Sequence, residues 1–270
     1  MNWLEALVLA VVQGLTEFLP VSSSGHLVLA QTFFGIQPAN AFIYDIVLHL
    51  GTALAALAFY RREVAAELRG LFPPYRQAPP DLREARHLLL LLIAATVPTA
   101  IIGLAFKSPL ERLFASPGAV LAGLAITGTL LIASSRIPVS TKPLDRVPWG
   151  KAALIGIAQG IAIVPGISRS GSTIVAGLAA GLRREDAVRF SFLLSLPAIC
   201  GAALLELRHP PAGSPGVPFA LAAAGFAAAA ATGYLAILFV LRWTRAGKLW
   251  QFGLYCWAAA AVAAAVLARR

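Results

Sequence analysis

Charged residues are scarce in this chain of 270 residues: they make up 13% of it, where a soluble domain carries roughly 25%. Hydrophobic residues make up 59%, and the mean hydropathy is +0.78. Cysteine is rare as well, with two copies, Cys200 and Cys256. Both lie in apolar runs, which favours small core residues over a disulfide or a metal pair. The composition therefore excludes a soluble globular domain and a cysteine-based scaffold.

Long apolar runs dominate what is present. Six of them can each supply a helix of about 20 residues that crosses a bilayer; they cover residues 41–60, 87–106, 117–135, 187–206, 215–241 and 249–268. Two more apolar segments, near 3–35 and 150–182, are interrupted by proline, glycine and serine. We predict an all-α polytopic membrane protein with six transmembrane helices and two re-entrant helix-loop-helix segments.

The net charge of +10 follows the same plan. If the six spans alternate and each broken segment returns to its own side, sixteen of the 22 lysines and arginines lie on one side. The positive-inside rule makes that side cytoplasmic and places both termini outside. The positive charge is then explained by the membrane topology, and we expect no nucleic-acid partner. The oligomeric state is left open, a homodimer included.

The two broken segments follow one pattern at an offset of 146 residues. A Gln-Gly pair, two serines and a glycine coincide: Gln13, Gly14, Ser22, Ser24 and Gly25 with Gln159, Gly160, Ser168, Ser170 and Gly171. In a membrane, such breaks are tolerated only where they are buried in protein or line a cavity. With three spans per repeat, the second repeat is inverted, and the two breaks meet near the midplane. We predict one integral membrane domain over 1–270, with repeats at 1–135 and 149–270.

Glu17 is the one carboxylate of the first break, and Gln13 shares its helix face one turn earlier. An ionisable group at membrane depth costs about 2.5–3.5 kcal/mol to insert and by default marks a functional site. The alternative is a solvated acid at the interface, because Glu17 lies near the N-terminus. The adjacent Pro20 and serine run favour the functional interpretation.

The residues after Pro20 begin a second half-helix, whose free N–H groups favour an anion and phosphate in particular. Ser23, Ser24 and His26 lie there. Serine at such a position can be an ordinary helix cap, and for Ser24 this alternative stays open. Imidazole has its pKa near neutrality, so His26 is suited to proton transfer.

Arg169 lies in the middle of the second break, with Ser168 and Ser170 on either side and Thr173 one turn later. Its guanidinium matches phosphate bidentately. A buried structural ion pair with Glu17 is the competing interpretation. In the first half of the chain, Asp45 and His49 share one helix face. They either support Glu17 and His26 or make an ordinary helix–helix contact.

These motifs resemble those of the undecaprenyl-pyrophosphate phosphatases of the bacitracin-resistance type. Residues 13–26 match the family's E/Q-x-x-x-E and serine–histidine motifs, and residues 165–173 match P-G-x-S-R-S-x-x-T. The resemblance covers the whole chain. It implies hydrolysis of undecaprenyl diphosphate to undecaprenyl phosphate and inorganic phosphate, which recycles the carrier lipid for peptidoglycan synthesis and confers bacitracin resistance. It also implies a bacterial inner membrane. Because the first broken segment enters from the charge-poor face, we expect the site to open outside.

The resemblance further implies a divalent cation, Mg²⁺ or Ca²⁺, handled by Glu17 with help from Gln13. His26 and Ser23 would form the base and nucleophile pair, and the phosphate would be held by Arg169, Ser168, Ser170, Thr173 and Ser24. Because one repeat carries the acid and the other the cation, we expect Glu17 and Arg169 to reach one bound phosphate. Their separation is predicted to be about 4–9 Å, with direct pairing as the near limit.

A transporter of polyprenyl phosphate or another anionic lipid is the alternative function, because inverted repeats with midplane sites are typical of transporters. A transporter needs the anion site but no acid–base pair, so Glu17 together with His26 favours the enzyme. The chain also shares Ser-Gly-His and Ser-Arg with type-2 phosphatidate phosphatases. That scheme requires a histidine shortly after the arginine, and residues 170–181 contain none.

Overall fold

Helices make up the framework of the computed structural model, which describes residues 1–72, 74, 78–114, 116–141, 144, 147–210 and 214–269. These residues form a 3-10 turn at Ser134–Arg136, no strand, and twelve α-helices: α1 Trp3–Phe18, α2 Ser23–Phe34, α3 Pro38–Phe59, α4 Arg61–Arg69, α5 Pro80–Ala105, α6 Lys107–Phe114, α7 Pro117–Ala133, α8 Trp149–Ile161, α9 Arg169–Ala179, α10 Arg184–Arg208, α11 Phe219–Arg245 and α12 Trp250–Leu267.

Six of these helices, α3, α5, α7, α10, α11 and α12, are long and apolar enough to cross a membrane, which confirms the predicted span count. Three begin with proline at the first turn, Pro38, Pro80 and Pro117, where the missing N–H costs no hydrogen bond. Helix α5 begins seven residues before its apolar run, and α10 begins three residues before its own. The first turns of both helices are polar, so hydropathy marks the membrane-crossing stretch and not the start of the helix.

The structure places the two cysteines differently. Both are free, and Cys256 is buried, as expected for a small core residue. Cys200 is exposed on the outer face of α10, so its assignment to the core was wrong. An apolar outer face in contact with lipid is as hydrophobic as the interior, and hydropathy does not distinguish the two. Of the basic residues counted for topology, Arg76, Lys142, Arg146 and Arg270 lie outside the described residues.

The helices pair across the two halves of the chain. Helix α1 packs against α11, and α8, which lies 146 residues after α1, packs against α5. Glycines bring these pairs into backbone contact. A Cβ atom on Gly14 would lie 2.7 Å from the carbonyl oxygen of Ala229, and one on Gly156 would lie 2.0 Å from that of Ala95. Small residues at such contacts are typical of membrane helices. Each broken segment is thus held by a span from the other half.

The two breaks have matching local structure. Helix α2 is capped by Ser22, whose hydroxyl accepts from the N–H of Gly25 at 3.3 Å. Helix α9 is capped in the same way by Ser168, which accepts from Gly171 at 3.0 Å. These serines and glycines coincide at the 146-residue offset, so the aligned positions are helix-start signals. Ser22 has φ of +70°, a strained conformation that is tolerated where surrounding contacts require it.

The breaks also touch one another. Ser170 in the second donates a hydrogen bond of 3.0 Å to the carbonyl oxygen of Leu19 in the first. A Cβ atom on Gly25 would lie 3.1 Å from the Cα atom of Gly166, so the two backbones approach closely at this crossing. The starts of α2 and α9 therefore lie side by side inside the bundle. The inversion of the repeats relative to a bilayer stays a prediction.

Candidate active site

A carboxylate–guanidinium pair lies where the two breaks meet. Glu17 comes from the last turn of α1 and Arg169 from the first residue of α9. The Glu17 Oε1 atom accepts from Arg169 Nη2 at 2.8 Å. Only 4% of the Glu17 side chain and 17% of the Arg169 side chain are exposed. The pairing is direct, at the near limit of the expected separation.

The other carboxylate oxygen of Glu17 is the centre of a second set of contacts. Its Oε2 atom accepts from Gln13 Nε2 at 2.9 Å and from Ser23 Oγ at 2.6 Å. The Nε2 atom of His49, on α3, lies 4.0 Å from the same oxygen. The carboxylate thus has one cationic side and one side of neutral polar groups. Residues from four helices meet at this single group.

Two polar atoms of the site remain without a partner. Arg169 Nη1 and Gln13 Oε1 are both buried and make no hydrogen bond in the structure. Buried polar groups without partners are uncommon and costly, by about 1–3 kcal/mol or more for charged groups. A guanidinium donor and an amide acceptor on the two sides of one carboxylate can bind opposite parts of a ligand that carries both negative charge and a cation.

The hydroxyl groups assigned to phosphate binding have structural partners. Ser168 caps α9, and Ser170 bonds to the first break. Thr173 donates to the carbonyl oxygen of Arg169 at 2.8 Å and also pairs with Ser191. Ser24 lies 3.3 Å from the Ser22 hydroxyl. In this conformation they hold the two helix starts in place, and their binding of phosphate stays a prediction.

His26 points away from the carboxylate. Its Nδ1 atom donates to the carbonyl oxygen of Ser22 at 2.8 Å, which leaves Nε2 to accept from the Tyr255 hydroxyl at 2.9 Å. The two rings are nearly parallel, with centroids 5.7 Å apart. No hydrogen bond joins His26 to Ser23 in the described structure. The expected pair of these two residues is therefore not assembled here, and its catalytic role stays a prediction.

His26 and Tyr255 lie at one end of an apolar groove between α2 and α12. The groove has a volume of about 260 Å³. Apart from Thr32, the rest of the lining is aliphatic and aromatic: Leu29, Phe33, Ala259, Val262, Ala263, Val266 and Leu267. Sequence reasoning missed Tyr255, because it lies in an uninterrupted apolar run where no neighbouring residue marks it.

Asp45 and His49 share a helix face but have different partners. Asp45 accepts from Gln31 Nε2 at 3.0 and 2.8 Å. His49 donates from Nδ1 to the Asp45 backbone carbonyl at 2.8 Å, and this bond directs its Nε2 atom towards Glu17. Asp45 therefore joins α3 to α2, whereas His49 belongs to the site. Gln31 was another residue that the motifs did not indicate.

The fold and this geometry define a class: a multi-pass helical membrane protein with a buried, charged polar cluster where two broken helices meet. The starts of α2 and α9 supply N–H groups and positive helix dipoles, and Arg169 supplies a cation beside them. Glu17, Ser23 and the His49 imidazole add groups of types that can accept or donate protons. Such a site suits a phosphorylated ligand that reaches it from within the bilayer.

Comparison with known proteins identifies the family. The family model for the bacitracin resistance protein BacA matches residues 6–262, and this chain belongs to that family. The chain is 45% identical over 260 residues to an undecaprenyl-diphosphatase of Carboxydothermus hydrogenoformans, covering 95% of this chain and 94% of the relative. It is 44% identical to one of Desulfatibacillum aliphaticivorans, covering 95% and 96%. Identity to one of Rubrobacter xylanophilus is 43%, with 98% of both covered. The resemblance seen in the motifs is confirmed.

The ion pair predicts an asymmetric response to substitution. Arg169→Met leaves the Glu17 carboxylate buried without its cation, which should lower the free energy of unfolding by about 3–5 kcal/mol. The double variant Glu17→Gln with Arg169→Met removes both charges and should recover part of that loss. Thermal unfolding of the purified protein in detergent measures the coupling. Additive losses in the double variant contradict a strong pair.

Proposed function

We propose that this protein hydrolyses undecaprenyl diphosphate to undecaprenyl phosphate and inorganic phosphate. The direct pairing of Glu17 with Arg169, between two helix starts inside a membrane bundle, is the observation that carries this proposal. Relatives across nearly the whole chain are named undecaprenyl-diphosphatase. In the cell this reaction recycles the lipid carrier for peptidoglycan synthesis, and it accounts for the bacitracin resistance in the family's name.

Cleavage of a phosphoanhydride depends mainly on positioning and on stabilisation of charge on the phosphate oxygens. The unpartnered Nη1 of Arg169 and the N–H groups at the starts of α2 and α9 support this proposal, because such groups can donate to phosphate oxygens. Ser23 donates to Glu17 at 2.6 Å, so the carboxylate is the group placed to accept a proton from this hydroxyl or from a water molecule there. A transporter needs no such acid–hydroxyl pair, and that alternative is not favoured.

We propose that Glu17 and Gln13 hold a divalent cation, Mg²⁺ or Ca²⁺. The described residues contain no group of three or more His, Cys, Asp or Glu side chains that could hold a metal alone. One carboxylate and the buried, unpartnered amide oxygen of Gln13 nevertheless fit, because Mg²⁺ is commonly held by one or two protein groups together with substrate phosphates. When bound, the ion would neutralise negative charge on the diphosphate.

The apolar groove supports a lipid substrate. It begins at His26 and Tyr255 and continues between α2 and α12, and we propose that it receives the start of the prenyl chain. Its volume lies just below the roughly 300–1,000 Å³ of pockets for drug-sized ligands. The groove therefore holds only the first part of a long chain, and the remainder lies in the bilayer. In this arrangement His26 is next to the phosphate that carries the chain.

We place the protein in the bacterial inner membrane with both termini and the site on the outer side. The clustering of lysine and arginine between alternate spans supports this orientation. The first break, which carries Glu17 and Ser23, then enters from the outer face. Oligomeric state, including a homodimer, is independent of this proposal, because the site is built within one chain.

The activity itself is tested by phosphate release from undecaprenyl and farnesyl diphosphate with purified protein. We expect release by the natural chain, its loss on addition of a chelator, and its return with Mg²⁺ or Ca²⁺. Arg169→Lys keeps the charge but loses the forked geometry and should lower the rate by about 10²–10³-fold. Arg245→Lys, in an ion pair with Glu185 away from the site, is the matched control. No release by the natural chain refutes the proposal.

The groove is tested by filling it. Ala263→Trp places a bulky ring in the groove, and Ala261→Trp places the same ring on the exposed face of α12 outside it. Ala263→Trp should raise KM for farnesyl diphosphate at least about tenfold, equivalent to the lost burial of two methylene groups. KM for isopentenyl diphosphate should change little, and Ala261→Trp should behave as the natural chain. Equal effects of both variants exclude the groove.

Orientation is tested by labelling intact cells with a thiol reagent that cannot cross the membrane. Ser23→Cys, in a chain whose Cys200 and Cys256 are replaced by alanine, should react from outside because the first break opens there. Treatment of intact cells with this reagent should also prevent the same cysteine from being labelled after the cells are permeabilised. Reaction only after the cytoplasmic side is exposed reverses the proposed topology.

A further inference from the structure

The two oxygens of the Glu17 carboxylate have different surroundings. Oε1 is bound by Arg169, whereas Oε2 faces Gln13, Ser23 and His49. A cation near Oε1 is opposed by the guanidinium charge, so a second cation is favoured on the Oε2 side. The groups on that side are an amide, a hydroxyl and an imidazole, each of which can offer a lone pair to a metal.

The imidazole of His49 presents its Nε2 atom to the Glu17 carboxylate. Its Nδ1–H donates to the backbone carbonyl of Asp45 at 2.8 Å, which leaves the lone pair on Nε2. Metal-binding histidines almost always donate their other N–H to a carbonyl, a carboxylate or water in this way. In the described part of the chain no hydrogen bond reaches this Nε2 atom. About a third of the side chain is exposed, so an ion or a substrate phosphate can approach it.

The distance between His49 Nε2 and Glu17 Oε2 suits a shared ion. It is 4.0 Å, too long for a hydrogen bond. Two ligand bonds of about 2.1 Å to one ion can span up to about 4.2 Å. An ordinary ion pair between a protonated His49 and Glu17 would instead be expected to close to hydrogen-bond distance. The gap leaves room for one ion between the two groups, at a ligand–ion–ligand angle of about 145° that narrows if the side chains move closer.

Gln13 supplies an independent observation. Its side chain is fully buried, its Nε2 atom donates to Oε2, and its Oε1 atom has no partner. The two ends of an amide have nearly the same shape. With a cation beside Glu17, the reversed amide directs its oxygen to the ion, and its NH2 group takes the position that has no partner in the structure. The amide can therefore offer a ligand oxygen on the same side of Glu17 as His49.

We propose that His49 is a ligand of the divalent cation, in a mixed set with Glu17 Oε2, the Gln13 amide oxygen and the substrate phosphates. This rests on the cation of the proposed function and adds to it the identity of a third protein ligand. Ca²⁺ takes oxygen ligands, whereas imidazole suits first-row transition metals. The site should therefore bind Mn²⁺ more tightly than Ca²⁺, and His49 should be the cause of the difference.

The test uses Mn²⁺ as the probe with the purified full chain in detergent. Electron spin echo envelope modulation of bound Mn²⁺ should show coupling to an imidazole ¹⁴N nucleus in the natural chain. His49→Gln should remove this coupling and weaken Mn²⁺ binding by about tenfold or more, with a smaller change for Ca²⁺. His26→Gln, the other histidine near the site, and His87→Gln, at the start of α5, should both keep the coupling.

A second variant separates ligation from folding. His49→Asp offers an oxygen in place of nitrogen, so it should bind Mn²⁺ without the ¹⁴N coupling. Coupling that survives in His49→Gln, or that disappears in His26→Gln, overturns the assignment. So does Mn²⁺ bound to the natural chain with no ¹⁴N coupling, which indicates an all-oxygen site, or no Mn²⁺ bound at all. If no Mn²⁺ binds, the hydrolase proposal is tested separately by phosphate release. Release that continues in the presence of chelator would show that hydrolysis does not need this cation.

Discussion

The structure depends on one buried ion pair between two interrupted helices. Neither Glu17 nor Arg169 is tolerable alone at this depth, because removing either partner leaves an uncompensated charge in a medium of low dielectric constant. Their contact at 2.8 Å requires the end of α1 and the start of α9 to lie together. The hydrogen bond from Ser170 to Leu19 and the close approach of Gly25 to Gly166 serve the same requirement. The position of the pair therefore constrains both breaks.

That constraint also explains why the two halves of the chain differ where they are otherwise alike. Ser22 and Ser168 occupy equivalent positions and cap equivalent helices. The charges, by contrast, do not repeat: the position equivalent to Glu17 is Ile163, and the one equivalent to Arg169 is Ser23. Two acids or two arginines facing each other across the contact would repel. The two repeats therefore have the same broken-helix backbone. Because their charged residues differ, the site between them has one cationic and one acidic side.

Much of the site could be predicted from local sequence. The breaks, and the expectation that the acid of one half and the arginine of the other reach one phosphate, follow from residue type and spacing. The partners of the histidines could not be predicted in this way. Tyr255 is separated from His26 by 229 positions, in an apolar run that offers no polar neighbour as a signal. Asp45 and His49 share a helix face, yet only the packing of α3 against its neighbours decides that one meets Gln31 and the other Glu17.

The amino-acid sequence by itself determined the membrane class, the six spans, the two breaks and the family, because hydropathy, proline and glycine positions and short motifs are local properties of the chain. Tertiary structure alone decided that Glu17 and Arg169 pair directly, that His26 turns to Tyr255 and that His49 faces the carboxylate. These outcomes depend on how helices distant in sequence rotate and approach one another, and that is set by backbone contact at small residues such as Gly14 and Gly156. Helix periodicity predicts which residues share a face, but only the packing of the helices decides which residues that face contacts.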